Sequence, residues 1–170
     1  MNDDLTPVRA ADLTRSAPLC EALLALNNSH AAELSWMEPP RLLHLVSQAF
    51  LARRVGEADA LLIAFDQDAD YDSPNFLWFR ETYPRFVYVD RIVVAPQARG
   101  RGLAARLYAD LFAAASQAGH DRIVCEVNSD PPNPASDAFH ERLGFRQVGT
   151  AAIHGGAKTV TYLMRPLASP

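Results

Sequence analysis

Apolar residues change their spacing several times along the chain, and each change marks an element. Residues 86–94, FVYVDRIVV, are β-branched and aromatic, the composition of a strand. After a short turn containing Pro96, Leu103, Leu107 and Leu111 recur four apart, with Ala104, Tyr108 and Ala115 beside them. That is one buried face of a helix. Gly100 and Gly102 stand where this helix begins, and the rest of the chain is read around it. Upstream, residues 5–9 suit a short strand. Ser16 can cap a helix running to about residue 28, with Leu19, Cys20, Leu23, Leu24 and Leu26 on its apolar side. Pro39 and Pro40 open a second helix, in which Leu42, Leu45, Val46 and Ala49 keep helical spacing. Residues 50–54 read as a strand turning at Gly56, and residues 60–65 form the continuous apolar run of a strand buried on both faces. Downstream, residues 122–128 are strand-like. A helix opening at Asn133 stops at Gly144, and residues 145–153 and 159–165 form a hairpin around Gly155 and Gly156.

The stretch 66–85 keeps neither period. Asp66, Asp68, Asp70 and Asp72 imitate the opening of a calcium loop. Tyr71 and Leu77, however, occupy the positions that such a loop reserves for glycine and glutamate, so no metal is expected. Phe76, Leu77, Trp78 and Phe79 are too apolar for a free linker, and part of the stretch should pack as a short helix. The chain then reads as one domain over 1–170, with 66–85 inserted between the third and fourth strands.

Composition narrows the function without naming it. At 170 residues and 49% apolar, the chain can bury a substantial core. A net charge of −4 argues against general nucleic-acid binding, which needs a basic footprint. Cys20 and Cys125 make neither a disulfide framework nor a metal site. The acidic start lacks the features of a signal peptide, and no apolar run approaches the ~20 residues of a membrane span. A soluble, cytoplasmic protein with no membrane or nucleic-acid partner is expected.

The glycine turn has chemistry of its own. A helix start presents unpaired N–H groups and a partial positive charge, so it attracts phosphate. Glycines there let a ligand approach the amides, and Arg99 and Arg101 place further positive charge on the same turn. The expectation is an anion cradle for a polyphosphate. Gly100, Gly102 and Ala105 also satisfy a dinucleotide fingerprint. That fingerprint normally follows the first strand almost at once, whereas here several strands precede it and Ala95 to Arg99 intervene.

A second stretch, Asn133 to Phe145 (NPASDAFHERLGF), joins the first. Together with Gln97-Ala98-Arg99-Gly100-Arg101-Gly102 it resembles the GCN5-related N-acetyltransferase (GNAT) superfamily. That family carries Q/R-x-x-G-x-G/A on its acetyl-CoA pyrophosphate loop and N-x-x-A/S-x-x-L/F-Y-x-x-x-G-F on a helix beside the pantetheine arm. His140 stands where the family usually has tyrosine. The order β-α-α-β-β-β-α-β-α-β-β extends the likeness over nearly the whole chain. It implies an α/β fold: a mixed, mostly antiparallel sheet of about seven strands with helices on both faces.

The resemblance implies acetyl transfer from acetyl-CoA to a primary amine, carried by a small molecule or a peptide. Backbone amides of Arg99, Gly100, Arg101, Gly102, Leu103 and Ala104, with Gln97, would hold the pyrophosphate. The edge Ile92-Val93-Val94 would pair with the pantetheine arm and polarise the thioester carbonyl. Asn133 and Ser136 match cofactor-side polar positions, although either could simply cap the helix. An alkylammonium with pKa ~10.4 must lose a proton before attack. Tyr88, Asp90 and Glu126 are the candidates to receive it, with Asp90 and Glu126 alternatively paired to Arg91 or Arg122. His140, as imidazolium, could protonate the leaving thiolate, or could merely pack beside Phe139. The acceptor would be lined by residues 28–39, 66–85 and 154–158, from which Glu33, Trp36, Asp70, Tyr71 and His154 are singled out, together with Asn128. The acidic side chains there favour a cationic acceptor or are simply solvated. A catalytically silent acyl-CoA-binding module of the same fold is the alternative, and the resemblance leaves room for a homodimer.

Overall fold

The computed structural model describes residues 3–168. Its elements run in the order β1 Leu5–Pro7, α1 Ala10–Arg15, α2 Ala17–Asn28, α3 Pro39–Gln48, β2 Leu51–Val55, β3 Ala60–Asp66, α4 Pro74–Thr82, β4 Val87–Val94, α5 Leu103–Gln117, β5 Arg122–Asp130, α6 Pro134–Arg142, β6 Arg146–Ile153 and β7 Lys158–Pro166. The strands form one seven-stranded sheet in the order β1-β2-β3-β4-β5-β7-β6. The pairs β1–β2, β2–β3, β5–β7 and β6–β7 are antiparallel, while β4 lies parallel to β5 with Val87 opposite Ile123 and Tyr88 opposite Val124. This is the mixed sheet that the sequence led us to expect. No helix of the described residues is long and apolar enough to cross a membrane.

The backbone divides into two compact units, Met1–Asp70 with Val89–Leu111, and Tyr71–Tyr88 with Phe112–Pro170. In the first unit, the Ser16 hydroxyl accepts the Leu19 N–H at 3.3 Å and starts α2, whose Leu23, Leu24 and Leu26 are buried. Leu42, Leu45 and Val46 of α3 are buried as well, and α1, α2 and α3 pack on one another. Leu103, Leu107 and Leu111 form the buried face of α5, each worth ~1.5–3 kcal/mol in removed apolar surface. Helix α1 escapes the hydrophobic pattern because only Leu13 of its six residues is buried. Its one legible sign is Asp12, whose carboxylate accepts the Arg9 N–H at 3.1 Å.

In the second unit, the irregular 66–85 stretch resolves into α4. Ser73 and Pro74 open this helix, and its Phe76 and Phe79 are fully buried. Trp78 stacks on Tyr162 with ring centroids 4.3 Å apart, and Phe79 meets the same ring edge-on at 5.0 Å. Gly149 on β6 makes room for this packing, since a Cβ there would lie 2.7 Å from the Trp78 ring. Asn133 opens α6 by accepting the Ser136 N–H at 3.3 Å, and Gly144, at φ +87°, follows its last turn.

Candidate active site

The turn between β4 and α5 has the form that the glycines foretell. A short 3₁₀ turn, Pro96–Ala98, leads to Gly100 and Gly102 at φ +80° and +71°, and α5 begins at the next residue. Both values lie where a β-carbon is disfavoured. A Cβ on either glycine would meet nothing within 4 Å, so the face of the turn is open. Gln97 and Arg99 are exposed, Ala104 is half-buried, and Leu103 is buried as part of the core. Ile92 and Val94 are half-buried and Val93 is buried.

The two arginines of the turn differ. Arg101 donates to Asp59 at 3.0 Å and also to Asp3, so its charge is spent on two carboxylates of its own unit. Arg99 donates through Nη2 to His30 Nε2 at 3.3 Å. Arginine has only donors, so this nitrogen accepts. The proton of the ring then sits on Nδ1, 3.1 Å from the Leu26 carbonyl oxygen.

The three base candidates separate in the structure. Asp90 is bound by its neighbour, Arg91 Nε to Asp90 Oδ2 at 2.7 Å, with the two side chains 4% and 6% exposed. Arg122 pairs with Asp121. Two neutral donors reach Glu126: the Tyr88 hydroxyl donates to its Oε1 at 3.0 Å and Asn75 Nδ2 to the same oxygen at 3.1 Å. Tyr162 lies opposite Glu126 in the β5–β7 register, and its hydroxyl donates to Asn75 Oδ1 at 2.9 Å. Burial and the Glu126 charge push the Tyr162 pKa up to about 12, so this hydroxyl keeps its proton and stays a donor. Tyr88, itself considered as a base, spends its proton on Glu126. Neither Asn75 nor Tyr162 was singled out from sequence. The order of elements could have flagged Tyr162, which the hairpin returns beside β5.

His140 is 5% exposed, with its ring edge-on to Phe139 at 5.4 Å and Phe145 at 5.2 Å. Its Nδ1 lies 2.7 Å from the Ser136 carbonyl oxygen, an acceptor, so Nδ1 carries the proton. Burial lowers its pKa below the ordinary 6.5, with the Ser136 carbonyl and Asp137 opposing. A neutral ring in this tautomer offers no proton from Nε2, which speaks against the expected acid at this position. The unfolded chain binds this proton more readily than the folded one. The stability that the neutral ring contributes is therefore whole above pH ~6.5 and is lost as pH falls from there through the lower folded-state value. Urea unfolding between pH 7.5 and 5.5 should show a shallower pH dependence in His140→Gln than in the wild type. Equal slopes would mean that the ring titrates alike in both states.

The acceptor-side expectations scatter more widely. Glu33 and Trp36 are exposed on the loop 29–38. Asp70 is exposed, and its backbone is tied to α3 through Gln48 Oε1 at 3.0 Å and His44 Nε2 at 3.3 Å. Tyr71 is buried beside Phe76, ring centroids 5.5 Å apart, in the aromatic cluster of the second unit. Asn128 is half-buried on β5 opposite Val160. His154 is exposed in the β6–β7 turn at φ +52°.

Comparison with known proteins adds a family to this geometry. The model of the Acetyltransferase (GNAT) family matches residues 44–145. A phosphinothricin N-acetyltransferase of Streptomyces coelicolor is 44% identical over 59 residues, covering 35% of this chain and 33% of that protein. The match thus spans about a third of that relative's length. The structure of yncA from Salmonella typhimurium with its cofactor acetyl-CoA is similar with a TM-score of 0.70 at 19% identity, covering 100% of this chain and 96% of that one. The NatC complex bound to Gag peptide and CoA is similar with a TM-score of 0.72 at 13% identity, covering 99% and 100%. At these identities the two structures speak for the fold.

Proposed function

Because the chain belongs to the acetyltransferase (GNAT) family, we propose that it is an acyltransferase that moves an acetyl group from acetyl-CoA to the primary amine of a small molecule or peptide. The observation that carries this reading is the open glycine turn at the start of α5, where two positive-φ residues leave the space of their side chains empty. That turn fits a pyrophosphate, which the backbone N–H groups of residues 100–104 would hold at the positive end of the helix, the Arg99 N–H being bonded to the Pro96 carbonyl oxygen. Arg99, exposed on the turn, adds a full charge, whereas Arg101 acts through its backbone. The backbone of Ile92, Val93 and Val94 would pair with the pantetheine arm, and a strand amide there would polarise the thioester carbonyl. A preorganised donor of that kind is worth ~3–4 kcal/mol in the transition state. When bound, acetyl-CoA supplies an activated acyl carbon and a thiolate leaving group.

The work of the protein is then to free the amine. Glu126 accepts a proton from the acceptor ammonium, directly or through one water, and the amine lone pair attacks the acyl carbon. The carbon–sulfur bond of the bound group would break, its thiolate taking a proton from solvent. Tyr88 and Asn75 fix the accepting carboxylate, and Tyr162 fixes Asn75. Glu126 carries the base role in this reading, with the Tyr88 hydroxyl and Asn75 Nδ2 holding its Oε1, while Asp90 is paired with Arg91. The dinucleotide alternative lapses with the family match.

Incubation with acetyl-CoA and a panel of primary amines, followed by mass spectrometry and thiol release, tests the proposal. Amine-dependent thiol release with a 42-Da product gain is expected (one acetyl group replacing one hydrogen). Binding of acetyl-CoA with no amine-stimulated turnover across the panel would leave a binding module in its place.

A further inference from the structure

Trp36 is 65% exposed and is the one large apolar side chain left so among the described residues. Its backbone is nevertheless held on both sides. Asn27 Nδ2 donates to the Ser35 carbonyl oxygen at 2.9 Å. Asn28 donates through Nδ2 to the Met37 carbonyl oxygen at 2.9 Å and accepts the Met37 N–H through Oδ1, also at 2.9 Å. The two amides are joined, Asn27 Nδ2 to Asn28 Oδ1 at 3.0 Å. Met37, directly after the tryptophan, is 2% exposed.

The clamp is itself anchored on the central strand. Asn27 is fully buried and accepts from Arg91 Nη1 at 2.7 Å, and Arg91 in turn pairs with Asp90 of β4. A chain from β4 through Arg91, Asn27 and Asn28 thus reaches the residues flanking Trp36. The same loop meets the glycine turn through His30 and Arg99. The indole is also oriented, since its Nε1 donates to Glu38 Oε1 at 3.1 Å. A flat aromatic face is therefore presented to solvent beside a carboxylate, on a backbone that is held still.

Exposing an indole forgoes its burial, and fixing it in place forgoes its freedom. A fixed aromatic face next to a carboxylate recognises one chemistry well, an alkylammonium, by cation–π attraction on one side and ion pairing on the other. We propose that Trp36 and Glu38 bind a cationic group of the acceptor other than the amine that reacts, and that Asn27 and Asn28 are positioning residues for this pair. The acceptor is then a polyamine-like or basic molecule with at least two amines. The inference rests on the acetyl-transfer reading and deepens it.

Fluorine NMR of the protein labelled with 5-fluorotryptophan gives one signal for each of its two tryptophans, and loss of one in Trp36→Leu assigns it. Spermidine should shift the Trp36 signal and leave that of Trp78 in place. Butylamine, with a single amine, should need about fivefold more to do the same. Asn28→Ala should move the Trp36 signal toward that of the free amino acid, because the clamp is gone. In turnover, Trp36→Leu and Asn28→Ala should each raise the spermidine KM about threefold to tenfold, leaving kcat and the acetyl-CoA KM within twofold. A Trp36 signal indifferent to spermidine, or an unchanged spermidine KM in Trp36→Leu, overturns the proposal. The titration requires no turnover, so it separates failure of this site from failure of acetyl transfer, which would show as no product from any amine.

Discussion

Glu126→Gln should lower kcat at pH 7 by roughly 100-fold or more while leaving acetyl-CoA binding within twofold, the range general-base help commonly supplies. The substitution is close to isosteric. Its amide oxygen can still accept from the Tyr88 hydroxyl and from Asn75 Nδ2, which meet Glu126 Oε1 at 3.0 and 3.1 Å, so the local structure should hold. What is lost is the capacity to take a proton from an ammonium. The pH profile separates this from a structural effect. Without the carboxylate, the reactive free amine comes only from solution equilibrium, so the rate of the variant should climb about tenfold per pH unit toward the amine pKa of ~10.4. The wild-type rate should rise less steeply over the same range. A variant whose kcat stays within threefold of wild type at pH 7, where chemistry limits turnover, would move the base elsewhere.

The second large effect is expected at the glycine turn. Gly102→Glu places a carboxylate where an anionic pyrophosphate should sit, and acetyl-CoA affinity should fall at least tenfold by isothermal titration. Space is not the obstacle, because a Cβ at this position meets nothing within 4 Å. The backbone is, at φ +71°, and an L side chain there costs ~1–2 kcal/mol of stability. Gly102→Ala carries that same cost without the charge, so it should lose stability in equal measure and much less affinity. Circular dichroism establishes that both variants fold. A folded glutamate variant with wild-type affinity would show that the polyphosphate is seated away from this turn.

The elements were readable from sequence where their signals are local. Apolar residues four apart in α5, a serine before α2, prolines at the start of α3 and a glycine after α6 each act within one or two turns of chain. Helix α4 was legible only as an apolar patch in an acidic stretch. Its hydrophobic residues face ring partners on other elements and follow no clean period.

By itself the sequence determined the order of the strands and of four of the six helices, the glycine turn and the family, because helix periodicity, capping and positive-φ glycines are properties of short segments. Only the tertiary structure decided which charged side chains are paired and which neighbours hold each carboxylate. Arg101 finds Asp3 from 98 positions away, Arg91 finds Asn27 from 64, and Asn75 and Tyr88 reach Glu126 across 51 and 38. His140 is read from sequence by its place in the motif, but its protonation follows from the Phe139 and Phe145 rings and the Ser136 carbonyl around it. Hydrogen bonds between residues so far apart in the chain leave no repeat in the sequence. A burial-shifted pKa depends on the dielectric around the group, which exists only once those distant segments have packed.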